Sequence, residues 1–258
     1  MRLTRRAFVL TTAAITASRA AAAHGSPARW LIAAHAGAQN GPDPKPPPAA
    51  FGPGRHALNL ERDRDGLVYL PVGYQASTPM PLMIVLHGAG GSSEGAAAAF
   101  PLADELGFIV LATDSRDWTW DAIIHGFGPD VEFLQRAFAF VSARCAVDRR
   151  RLAMTGFSDG ASYALSLGVG NGDVFGHILA FSPGVMQPAT AAGKPRIFIS
   201  HGTADQTMPI DDTSRKFVPR LKALGYEVVY REFEGKHVLP PAIRREAYEW
   251  FLAGSRPA

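Results

Sequence analysis

The sequence predicts an α/β fold: a mostly parallel central sheet flanked by helices on both faces. Three observations predict it. Short apolar runs alternate with helical stretches through the second three-quarters of the chain, the pattern of strands joined by crossover helices. Two of these runs end in glycine-rich turns, Gly88-Ala89-Gly90-Gly91 and Gly156-Phe157-Ser158-Asp159-Gly160. The composition of 258 residues, 47% hydrophobic and 19% charged, suits one large packed domain.

The first 23 residues read as a targeting segment. Arg5-Arg6 precede an apolar run from Ala7 to Ala17 and small residues up to Ala23, which resembles a twin-arginine export signal. Cleavage is expected after Ala23 or Ala36, and the protein is expected to be exported, periplasmic or secreted. A retained anchor is the other reading, although the run is short for a bilayer span. Residues 24–54 are a Pro/Gly-rich linker, 55–253 the single folded domain, and 254–258 a tail.

The formal net charge of +3 misleads. Residues 1–23 carry Arg2, Arg5, Arg6, Arg19 and no acid, so +3 less four leaves −1 on the remainder. With no basic stripe, nucleic-acid binding is rejected. Cys145 is the sole cysteine, so no intrachain disulfide can form; it is expected to pack at a helix end.

In order, strands are expected at His56–Leu60 and Leu67–Leu70 as a hairpin around the turn Glu61–Gly66. Pro81–His87 is a strand buried on both faces. A helix spans Gly95–Leu106 and a strand Phe108–Ala112. An irregular loop, Asp114–Gly128, holds Trp118, Trp120 and His125. Helix Asp130–Arg144 places Val131, Leu134, Phe138 and Val141 on one side. The strand and helix around Gly156–Gly160 occupy 151–169. Strands Ile178–Phe181 and Arg196–Ser200 follow, then a helix Asp212–Leu224 with Phe217, Leu221 and Leu224 on one face. Strand Glu227–Phe233 and helix Ala242–Leu252 close the domain.

Gly156-x-Ser158-x-Gly160 between a strand and a helix has the form of a nucleophile elbow. A chain with 26 glycines meets this pattern by chance often enough that context must decide. Ser158 needs a base and an acid that orients it, and a fold with such an elbow puts them after later strands, in the order serine, acid, histidine. Asp205 ends the tight turn after the buried strand Arg196–Ser200. Asp211 and Asp212 compete, but they precede a helix and suit capping. His237 lies between the last strand and the last helix. Among the others, His87 and His201 end strands and read as structural, His177 sits at the wrong end of the sheet, and His125 precedes the serine. Backbone N–H groups of Asp159 and Ala89, with Gly90 as an alternative to Ala89, would hold an oxyanion. Trp118, Trp120 and His125 are candidate substrate contacts; the tryptophans equally suit simple loop packing. Asp130 suits capping of its helix. No ligand cluster for a metal and no nucleotide loop is present, so no cofactor or metal is expected.

Leu86–Gly91, Gly156–Gly160, His201–Asp205 and Gly235-Lys236-His237 together resemble the α/β-hydrolase superfamily. More narrowly the chain is similar to secreted poly(3-hydroxybutyrate) depolymerase-like and feruloyl-type serine esterases. Thr119-Trp120-Asp121-Ala122 and Asp130-Val131-Glu132-Phe133-Leu134 match that group's habit. The resemblance implies hydrolysis of carboxylic esters through Ser158, His237 and Asp205. Extra cysteines of many relatives are absent. The segment Ser182–Pro195, where relatives often insert lids, has only 14 residues, so the resemblance implies a minimal lid and an open site that suits bulky or polymeric esters. An acyltransferase, a serine peptidase and a catalytically silent binding protein are the competing readings.

Overall fold

The computed structural model describes residues 51–253. The expected export signal, most of the linker and the tail lie outside the described residues.

Among the described residues, eight strands form one sheet. β1 (Gly54–Ala57) and β2 (Gly66–Leu70) form the expected antiparallel hairpin. β1 ends earlier than expected because Asn59 takes a positive φ of 54° and starts the turn. The Asp65 carboxylate then gathers the N–H groups of Asn59, Leu60 and Glu61. β2 also pairs antiparallel with β4 (Ile109–Thr113), and every later pairing is parallel.

β3 (Met80–Leu86) leads into a 3₁₀ segment, Ser93–Ala99, and then α1 (Phe100–Leu106). One continuous helix was expected over Gly95–Leu106. Pro101 divides it, because a residue without an N–H belongs in the first turn of a new helix. The loop after β4 holds a single-turn helix, α2 (Asp121–Ile124), where irregular chain was expected. α3 (Pro129–Ser142) buries Val131, Leu134, Phe138 and Val141 as the spacing requires. Cys145 is buried just beyond it, and burial pushes its thiol up to about 12.

β5 (Val147–Phe157) and α4 (Asp159–Gly170) form the middle of the domain, and every residue of α4 is buried. β6 (His177–Phe181), β7 (Arg196–Gly202), α5 (Ser214–Ala223), β8 (Val228–Phe233) and α6 (Pro241–Ala253) complete it. In α5 the buried residues are Ser214, Val218 and Leu221. Leu224 falls past its end and is 55% exposed, because Gly225 (φ 79°) turns the chain there. Between β6 and β7, residues 182–195 contain no helix. Hydroxyls of Ser162 and Ser166 on α4 accept the N–H groups of Gly184, Val185 and Gln187, which keeps this segment flat against the domain.

The parallel strands are covered on both faces. Ile109 and Leu111 of β4 face one core with α3, α4 and α5, while Val110 and Ala112 face the other with the 3₁₀ segment, α1 and α6. Alternation with period two thus gives one sheet two cores. The strand order, β1-β2-β4-β3-β5-β6-β7-β8, reverses at β3, so the loops after β3 and β5 flank a crevice at the carboxyl edge.

Candidate active site

Ser158 stands between β5 and α4 with φ 58° and ψ −123°, a strained conformation for a residue with a side chain. The flanking glycines are a packing requirement. A Cβ on Gly156 would lie 2.3 Å from the Gly160 carbonyl, and one on Gly160 would lie 2.2 Å from the Leu86 carbonyl oxygen. The elbow therefore closes only with hydrogen at both positions.

Two loops bring the other groups to this serine. The turn after β7 carries Asp205 and the turn after β8 carries His237. They are joined by backbone bonds from Thr203 N–H to Phe233 O and from Ala204 N–H to Gly235 O, both 2.9 Å. Nδ1 of His237 lies 2.6 Å from Asp205 Oδ2, and Nε2 lies 2.9 Å from Ser158 Oγ. An ionised carboxylate only accepts, so Nδ1 carries the proton and Nε2 accepts from the serine hydroxyl. Burial would raise the Asp205 pKa, but the Met208 N–H, the His237 imidazole and the Thr207 N–H outweigh it and hold the carboxyl below its usual range. Asp211 and Asp212, the weighed competitors, are spent in surface pairs with Arg215 and Lys216.

The N–H groups of Asp159 and Ala89 have no acceptor among the described residues. Gly90, the alternative donor, is excluded because its N–H is bonded to Trp118 O at 2.8 Å. The segment Trp118–Trp120 holds both pieces of this hole. Besides that bond, Trp120 Nε1 donates to His87 O (2.8 Å), and the Thr119 hydroxyl donates to Asp159 Oδ2 (2.6 Å). A cavity of ≈ 540 Å³ opens beside Gly88, Ala89, Phe157 and His237, walled by the 3₁₀ segment and the start of α6.

No family model matches the chain. Curated relatives include "Probable feruloyl esterase C" from Aspergillus niger, 25% identical over 167 residues, which cover 61% of this chain and 60% of the relative. The chain thus spans about three-fifths of the length of the curated relatives it matches. Among solved structures, esterase PE8 superposes with a TM-score of 0.58 at 20% identity, covering 75% of this chain and 99% of its own. The substrate-bound fluorophosphonate-binding serine hydrolase F of Staphylococcus aureus gives 0.62 at 14% identity, covering 78% and 99%. The chain has the α/β-hydrolase fold.

Within this α/β-hydrolase fold the three candidate substrate contacts separate. Trp118 is 64% exposed and lies over the Gly90 loop, with Nε1 3.0 Å from where a Gly90 Cβ would stand. Trp120 is fully buried between His87 and Tyr163, so it is a packing residue and contacts no substrate. His125 is exposed at the end of α2, outside the cavity wall, and the structure does not bring it to Ser158.

Asp130 does not cap α3. Its two oxygens accept the N–H groups of Arg116 and Asp121, while Asp121 accepts those of Gly128 and Asp130. These two carboxylates fix the loop that carries Trp118. Burial raises Asp130 to about 6 despite the Asp121 N–H. Sequence reasoning missed Thr119, because a threonine in a loop carries no signal until its partner is placed. It also missed the contact of His201 with Asp205, although an i, i+4 spacing across a tight turn pointed to it.

Proposed function

We propose that this protein is a serine carboxylic ester hydrolase. One observation carries the reading: the continuous hydrogen-bonded path from Ser158 Oγ through both nitrogens of His237 to Asp205. His237 takes the serine proton as Oγ attacks the ester carbonyl, and the N–H groups of Ala89 and Asp159 receive the oxyanion. The protonated imidazole, steadied by Asp205, passes its proton to the leaving alkoxide. Water then attacks the acyl-serine with His237 again as base, and the acid and free serine are released.

Supporting this, the curated relatives are called feruloyl esterases, and structural neighbours are called esterases. The absence of a helix from 182–195 supports an open site suited to bulky or polymeric esters, and exposed Trp118 offers a face for an aromatic acyl group or a sugar. Short acyl, feruloyl and hydroxybutyrate esters are the proposed substrates. Arg5-Arg6 and the apolar run behind them support an exported protein, periplasmic or secreted, as part of this reading. Among the described residues no helix is long and apolar enough to cross a membrane.

Hydrolysis of that ester panel by purified protein is the test. Turnover with release of free acid supports the reading. Acyl transfer to added alcohol or amine in preference to water would favour a transferase, and absence of any turnover would favour a binding protein.

A further inference from the structure

The cavity beside the triad carries one full charge that ester cleavage does not use. Arg244, in the first turn of α6, lines it together with His237, Leu239 and Tyr248. Its Nη1 donates to Ala98 O at 2.9 Å, and it has no carboxylate partner among the described residues. The adjacent Arg245 points elsewhere and is paired with Glu105 and Glu249.

The surroundings make this unusual. The 3₁₀ segment contributes only Gly95, Ala96, Ala98 and Ala99 to the wall, so the cavity exists because side chains there stop at a methyl group. Phe157 and Phe181 add apolar surface to the lining. Arg244 is half-buried and its bond to Ala98 is exposed, so its guanidinium meets apolar cavity wall without giving up water, and no carboxylate among the described residues answers its charge. The first turn of α6 holds no acidic residue, so the free N–H groups of that helix end add to the positive potential instead of cancelling it. An arginine fork pairs with a carboxylate through two parallel hydrogen bonds. One cation matches a monoanion; a phosphate dianion would leave a charge uncompensated.

We propose that Arg244 makes the site selective for esters carrying a carboxylate on the part that fills this cavity. The inference rests on the ester hydrolase reading and names its substrate class: an apolar stem between the reacting carbonyl and a terminal carboxylate.

The experiment compares 4-nitrophenyl hemiesters of dicarboxylic acids, from succinate to suberate, with the same compounds capped as methyl esters. Acetate esters of ω-hydroxy acids form a second arm that puts the carboxylate on the alcohol side. The whole protein and the variants Arg244→Gln and Arg244→Glu are assayed. The expected result is a carboxylate-bearing ester that exceeds its capped partner in kcat/KM by about tenfold or more, chiefly through KM. That ratio falls toward one in Arg244→Gln and lower in Arg244→Glu, and it shrinks with added salt. If the capped esters are hydrolysed but no carboxylated ester is preferred, or both variants keep the wild-type ratio, the inference is overturned and the hydrolase reading stands. If no ester of either kind is hydrolysed, the hydrolase reading fails and takes the inference with it.

Discussion

His201 places Nε2 3.2 Å from Oδ2 of Asp205, the same oxygen that His237 holds at 2.6 Å. Its N–H is aimed at the Met208 carbonyl at 2.7 Å, and its Nδ1 accepts from the Ser214 hydroxyl at 2.7 Å. Burial is the largest influence on His201 and lowers its pKa, outweighing the Met208 carbonyl and the Asp205 charge that favour protonation. A neutral imidazole thus ties the turn bearing Asp205 to the start of α5. His201→Leu should lower kcat by about tenfold to a hundredfold through a misplaced Asp205. His201→Gln, which keeps a donor, should recover part of that loss. Steady-state kinetics on both variants checks this, and equal kcat in the two would remove the positioning role.

Thr119→Val deletes the hydroxyl that fixes the Asp159 carboxylate, with almost no change of shape. Leaving a buried acceptor unpaired should cost about 1–3 kcal/mol of stability. The N–H of Asp159 should also lose its fixed direction, so kcat falls about tenfold while KM changes little. Urea unfolding and kinetics of the one variant test both statements.

Gly160→Ala places a methyl 2.2 Å from the Leu86 carbonyl oxygen, and backbone cannot yield as a side-chain tip can. The expected cost is about 2–3 kcal/mol or more, with loss of activity. A variant with unchanged thermal stability would show that the elbow is looser than its geometry.

His177 lies edge-on to Trp250 and Phe251 at the start of β6, and burial, with Arg196 adding to it, lowers its pKa to about 4. A folded value below the unfolded one means that the unfolded chain binds the extra proton. Stability is therefore full above about pH 6.5 and is lost as pH falls toward 4, by roughly 2–3 kcal/mol at most. Asp130, raised to about 6, acts in the opposite sense between about pH 4 and 6. The difference between wild type and His177→Gln cancels that contribution. Chemical unfolding from pH 7 to 4 should show a steeper loss in wild type than in the variant.

Much of this arrangement was legible because its signals are local. A strand, a glycine-flanked serine and a small-residue helix fix the position of Ser158, and strand ends fix the turns of Asp205 and His237. What the sequence left open depends on distant partners. Trp118 and Trp120 look alike along the chain, yet only Trp120 meets the His87 carbonyl and Tyr163 and is buried. Gly90 stood as the alternative to Ala89 for the oxyanion until the Trp118 carbonyl took its N–H. Asp130 has the position of a capping residue, but its carboxylate turns to the Trp118 loop instead. Arg244 is one more basic residue on an amphipathic helix until the alanines of the 3₁₀ segment open a cavity before it.

Intact-protein and peptide mass spectrometry after treatment with a fluorophosphonate probes the nucleophile most directly. One adduct per chain is expected, on Ser158, slowed at least about a thousandfold by His237→Gln, and absent from Ser158→Ala, whose ester turnover should fall about 10⁶-fold. A wild-type protein that turns over esters with Ser158 unlabelled, or a Ser158→Ala variant that turns them over undiminished, would contradict a serine nucleophile at this elbow.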